Sequence, residues 1–169
     1  LFLSTVSVVI KTLYHDKKQT DNIAVASLAT SYLNKATIEL SLERSVMQVT
    51  LNLPNAIAEP FHSMLNNQRD KSDEKFQQVV ELIKEKNDFR RKAEFLDALT
   101  EYRNAINKIR HQADRQLKLA KAARDTTIMQ QAPAQMKKTI LALSSLPIKL
   151  RVENSYLSSK LAILEKIQA

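Results

Sequence analysis

The 169-residue sequence has no glycine, no cysteine, no tryptophan and only four prolines. Glycine averages about 7% of residues in proteins, so its complete absence is a structural statement. It excludes tight two-residue β-hairpins, phosphate-cradling loops and the dinucleotide fingerprint, all of which need glycine backbones. Left-handed helix caps must fall to other residues or be avoided, which suits few and long helices. The absence of cysteine excludes disulfides, thiolate metal sites and a cysteine nucleophile. His15, His62 and His111 are far apart and lack metal-ligand spacing, so no metal or other cofactor is expected. No nucleophile–base pair stands out either, so the chain is not expected to be an enzyme.

What is present is charge and helical periodicity. The formal net charge is +8, and residues 102–124 carry Arg103, Lys108, Arg110, Arg115, Lys118, Lys121 and Arg124 against a single acid, Asp114. Such a stripe suits a solvated helix face or an anionic partner. Aromatic residues are few and not interleaved with the basic ones, so no nucleic acid is expected to bind.

The first ten residues, LFLSTVSVVI, carry no charge and are followed by Lys11. Ten residues are about half a membrane span. Residues 1–10 therefore read as the end of a membrane-proximal hydrophobic segment, or as a buried helix start, and 11–169 as the domain. A first helix is predicted from about Val8 to Leu53, with a soft spot near Asp16–Asp21. Its face is read through Ile23, Leu28, Tyr32, Leu33, Ile38, Leu42, Val46 and Val49, until Pro54–Asn55 stops it. A second helix should start near Glu59, with Pro60 in its first turn, and break at Lys86–Asn87–Asp88. The third has the cleanest seam, Phe89, Leu96, Leu99, Tyr102, Ile106, Ile109, Ala113, Leu117 and Ala120, and fades near Thr126. Pro133 marks the expected start of a fourth, which is kinked or split at Pro147 and continues through Leu150 to Ile167. The predicted fold is an all-α, up-down-up-down bundle of long antiparallel helices.

One hairpin carries charge where an apolar stripe should run. Arg44 lies ten residues before Pro54 and Arg69 nine after Pro60, so both sit roughly 15 Å from the turn. Gln48 lies one helical turn from Arg44, and Asp73 one turn from Arg69. Helix two has no large apolar residue between Leu65 and Phe76. Glu43 and Asp73 could neutralise two arginines in one layer, so three readings stand at this point. The layer is a structural ion network, solvated decoration, or a pocket in which the guanidinium groups grip an oxyanion.

The motif LxxER at Leu40–Glu43–Arg44, followed by LxxQRxxxDxxF at Leu65–Gln68–Arg69–Asp73–Phe76, resembles the nitrate- and nitrite-sensing helical domain. It is similar to related extracytoplasmic sensor modules of bacterial chemoreceptors and sensor histidine kinases. The resemblance covers about residues 20–125 and is sharp over 40–76. It implies a ligand-sensing bundle on the periplasmic side of the inner membrane, tied to it through flanking helices and working as a homodimer. It implies Arg44 and Arg69 as the first contacts of a small-molecule, anionic ligand, and Gln48, Asp73, Glu43 and Gln68 beside them complete the expected site. The rival expectation is a cytosolic helical scaffold or interaction domain that docks through the basic third helix.

Overall fold

The computed structural model describes the backbone of residues 2–86, 89 and 91–146, and their side chains apart from positions 2–12, 15, 16, 18 and 19. The described chain is all α. Helix α1 spans Phe2–Asn52, α2 Glu59–Glu85 and α3 Lys92–Leu117, while α4 covers 126–146. A single 3-10 turn, Lys121–Ala123, lies between α3 and α4. The predicted kink at Pro147 lies outside the described residues.

The loops show which ends lie together. Ile57 N–H donates to the Leu117 carbonyl at 2.9 Å, and Lys121 N–H donates to that of Pro54 at 2.9 Å. The C-terminal ends of α1 and α3 therefore meet at one end of the bundle, with α2 running back between them and α4 leaving from the same end. Arg124, only 5% exposed, pins this junction. Its guanidinium donates to the carbonyls of Thr50, Leu51, Leu53 and Asn55, and to those of Gln116 and Leu119. Carbonyls left without intrahelical partners at two helix C-termini thus share one cation, which also opposes the negative ends of both helix dipoles. Burial pushes the Arg124 guanidinium below its ordinary value, yet arginine stays charged in proteins.

At 1.5 Å per residue α1 is about 77 Å long and α2 about 40 Å, so the first half of α1 runs past the ends of α2 and α3. Among the described side chains its buried positions accordingly begin at Val25. The core is built from Leu33, Ala36, Leu40, Met47 and Leu51 of α1 with Leu65, Phe76, Val79 and Ile83 of α2. Leu99, Ile106 and Ala113 of α3 and Met136 and Leu143 of α4 complete it. Each large apolar side chain buried there contributes about 1.5–3 kcal/mol.

Several boundaries differ from the sequence reading. The helix continues through the expected soft spot at residues 16–21, and it is unbroken across residues 10 and 11. Helix α3 ends at Leu117 rather than near Thr126. Pro133 does not start α4 but lies buried within it. Asp125 starts that helix, its Oδ1 accepting from Thr127 N–H at 2.8 Å and Ile128 N–H at 3.2 Å. That cap fixes the first turn, and the proline then forfeits one backbone bond further along.

The core face of α1 is also not the one read from the sequence. Of the eight residues assigned to it, Ile23, Leu28, Ile38, Leu42 and Val49 are exposed, and only Leu33 is fully buried. The buried face is instead rich in alanine and carries Thr30, Glu43 and Thr50. The two threonines return their hydroxyl hydrogens to carbonyls one turn back, Thr30 to Ala26 at 2.7 Å and Thr50 to Val46 at 2.9 Å. Burial is therefore satisfied for polar groups on a face that scores poorly for hydrophobicity. The absence of glycine has one local cost. Arg91, at the N-cap of α3, takes the left-handed conformation at φ 56° and ψ 30°, where a side chain costs roughly 1–2 kcal/mol.

Candidate functional site

The charged layer is real, and it involves three helices rather than two. Glu43 of α1 is fully buried. Its carboxylate accepts from Arg110 of α3 in a two-pronged pair, Nε to Oε1 and Nη2 to Oε2, both at 2.8 Å. Arg69 of α2 adds a longer contact from Nε to Oε1 at 3.3 Å. A single carboxylate on α1 thus holds one arginine from each neighbouring helix.

The remaining donors are also used. Arg110 Nη1 donates to both oxygens of Asp73 at 2.9 and 3.0 Å, and to Asn107 Oδ1 at 3.3 Å. Its Nη2 reaches Ser72 Oγ at 2.9 Å. Arg69 turns its outer fork to Asp114 of α3, with Nη2 to Oδ1 at 2.7 Å and Nη1 to Oδ2 at 3.0 Å. Burial alone would push the Arg110 guanidinium down, but the carboxylates of Glu43 and Asp73 hold it above its ordinary value. The layer grades from dry to wet. Glu43 is the innermost group, and the side chains of Asp73 and Asp114 are 38% and 36% exposed.

Three carboxylates meet two guanidinium groups here, leaving one negative charge in excess. An added anion would therefore be repelled, and it could enter only by displacing one of the chain's own carboxylates. Removing charges from water costs several kcal/mol per ion, and paired geometry with full hydrogen bonding is what offsets that cost. The three-turn apolar gap on α2 between Leu65 and Phe76 is filled by this arrangement, with Ser72 buried at its centre.

The six residues picked from the sequence separate into two groups. Glu43, Arg69 and Asp73 belong to the layer. Arg44 and Gln48 do not. They bond to each other on the surface of α1, Arg44 Nη1 to Gln48 Oε1 at 3.3 Å. The depth argument aligned the correct layer, but one residue is 100° of helix, so Glu43 points inward where Arg44 points aside. Arg110 fills the role expected of Arg44. Gln68 lines an apolar crevice with Leu42, Val46, Val49, Phe61 and Met64, and its Oε1 is buried without a hydrogen-bond partner.

Sequence reading missed Arg110, Asp114, Ser72 and Asn107. The signal for Arg110 was its place within the α3 seam, one residue after Ile109 and four after Ile106. Asp114, the one acid in the basic stretch, lies one turn beyond Arg110 and so reaches the same layer. With Arg110 and Arg124 both turned inward, the basic stripe loses two of its seven cations.

Among the described residues no helix is long and apolar enough to cross a membrane, and no group of three His, Cys, Asp or Glu could hold a metal ion. No protein-family model, curated protein or solved structure matches the chain.

Proposed function

We propose that the chain is the ligand-sensing helical module of a bacterial transmembrane signalling receptor, a histidine kinase or chemoreceptor. It lies on the extracytoplasmic side of the inner membrane and does no chemistry itself. The observation that carries this reading is the grip of Glu43 on both Arg69 and Arg110. Helix α1, 51 residues long, is a continuous rod whose position is held by charge-assisted bonds to α2 and α3. Packed interfaces exchange one set of partners for another rather than deforming continuously, so a shift of α1 would be a step between discrete arrangements. A ligand that favours one of them shifts the population, and the rod carries the change along its axis.

The charge balance of the layer sets the ligand chemistry. A planar oxyanion can enter by replacing Asp114 on the outer fork of Arg69, the most exposed pair in the layer, without adding net charge at the centre. Loss of the Asp114 bonds would leave α3 tied to α2 in this layer through Arg110 and its bonds to Asp73 and Ser72, while the anion keeps Arg69 neutralised.

The test is thermal unfolding of the whole chain with nitrate, nitrite and acetate, each against chloride at matched ionic strength. At a hundredfold its dissociation constant a ligand adds about 2.7 kcal/mol, which for a chain of this size raises Tm by roughly 5–10 °C. The expected result is a saturable rise with at least one oxyanion, lost in Arg69→Met. If no oxyanion exceeds the chloride control, the oxyanion reading fails. If acidic proteins instead bind in a way that Lys108→Glu and Lys118→Glu abolish, the module is a docking scaffold.

A further inference from the structure

Helix α1 is apolar on two opposite sides, and the helices of this chain cover only one of them. The covered side carries Leu33, Leu40, Met47 and Leu51, all fully buried. On the other side Leu28, Ile38, Leu42 and Val49 are 43%, 60%, 47% and 57% exposed. A surface helix needs only one apolar stripe, so the second stripe is surplus to this chain's own core.

The bare side is also patterned. Leu28, Leu42 and Val49 fall on a seven-residue repeat whose remaining position is Lys35. Ser31, Ile38 and Ser45 fall on a second repeat offset by three or four residues. Together they form the 3.5-residue seam along which two helices pack, with small serines that allow close approach. The patch widens onto α2, where Phe61 and Met64 are 38% and 49% exposed.

We propose that a second copy of this chain packs on this face, joining α1 to its counterpart through Ile38, Leu42 and Val49. Three observations favour a second copy over a foreign partner. The patch carries both knobs and a hole, as a twofold contact requires of one surface. Ile38 and Met64 project, while the crevice between Leu42 and Val49 of α1 and Phe61 of α2 offers about 280 Å³ for a large apolar side chain. Next, the exposed parts of the six side chains amount to roughly 500–600 Å² per copy. Two copies would then bury on the order of 1,100 Å² before their rims are counted, near the lower bound of specific interfaces.

Charge, finally, does not oppose the pairing locally. The chain carries +8 overall, and the seam holds one charge, Lys35, N-terminal to Ile38, Leu42 and Val49; between residues 38 and 49 the charged positions, Glu39, Glu43 and Arg44, lie off it. Glu43 is buried and Arg44 is held aside by Gln48. Charges farther away are screened beyond about 8 Å at physiological salt. The inference does not depend on the receptor reading, because a scaffold would use the same face.

The test is sedimentation of the full 169-residue chain over a wide concentration range, comparing wild type with Ile38→Glu/Leu42→Glu. Both side chains are half-exposed, so the variant should keep its helicity and Tm. Self-association should weaken about a hundredfold, because an unpaired carboxylate is costly at the centre of an interface. Ile38→Ser provides a milder version if the double variant fails to fold. Leu141→Glu, at an exposed position of α4, should associate like wild type. A wild type that stays monomeric at about 200 μM, where even weak specific dimers form, overturns the proposal. So does a double variant, or a folded Ile38→Ser, that associates as tightly as wild type.

Discussion

Replacing Arg124 should strongly destabilise this protein. The guanidinium makes six donor contacts, to Thr50, Leu51, Leu53 and Asn55 on the α1 side and to Gln116 and Leu119 on the α3 side, at 2.6–3.2 Å. A hydrogen bond to a charged group is worth about 1.5–3 kcal/mol, but six from one side chain do not add, because they share one charge. Arg124→Ala strips a charged donor from six carbonyls, of which Thr50 and Gln116 keep a backbone partner, and removes the cation from two helix C-termini, where such a charge contributes up to about 2 kcal/mol. A total of about 3–5 kcal/mol follows by analogy with breaking a buried ion pair. Arg124→Lys keeps the charge but cannot fork to both helix ends, so it should recover about half of that loss. The assay is urea unfolding followed by far-ultraviolet circular dichroism, with unchanged m-values required for the comparison. If Arg124→Ala cost under about 1 kcal/mol, or if lysine restored full stability, the junction would not be held as described.

Two further substitutions separate the surface from the layer. Arg44→Ala removes only an exposed bond to Gln48 and should change stability by less than about 0.5 kcal/mol in the same urea assay. Gln68→Leu replaces a buried, unpartnered amide oxygen in an apolar crevice and should be neutral, or stabilising by about 1 kcal/mol, by thermal unfolding.

The legible part of this fold was its class and its turns. Zero glycine, Pro54 and Pro60 carried the helical class and the α1–α2 connection, because those residues act through backbone sterics that need no tertiary context. The α3 seam was likewise legible, since Ile106, Ile109, Ala113 and Leu117 are buried as their spacing implies. The core face of α1 was not. Its buried positions mix Leu33, Leu40, Met47 and Leu51 with alanines, threonines and one glutamate, while a second apolar stripe through Ile38, Leu42 and Val49 faces away. Hydrophobic periodicity marks an apolar face, but not which face the chain's own helices cover.

The charged layer was half legible for a related reason. Equal depth from a turn is a property of rise per residue, and it puts Arg44, and with it the neighbouring Glu43, level with Arg69. Azimuth and the third partner come from packing, so Arg44 was placed inward and Arg110 was read as part of a solvated stripe. Arg124 shows the same limit. Nothing in its local sequence distinguishes it from Lys121, yet the loop geometry puts it against two helix ends.

The most direct test of the account is a double-mutant cycle between Glu43 and Arg110, using Glu43→Gln, Arg110→Met and the pair, each measured by urea unfolding. The two residues share two bonds of 2.8 Å in a fully buried setting. Either single change leaves the other partner with its remaining contacts alone, Arg110 with Asp73 and Ser72 or Glu43 with the longer bond from Arg69, whereas the double variant removes both, so the losses should fall well short of additive. The expected coupling is about 2–3 kcal/mol. A coupling below about 0.5 kcal/mol, the range of an exposed pair, would mean that Glu43 does not hold α1 to its neighbours and would contradict the account.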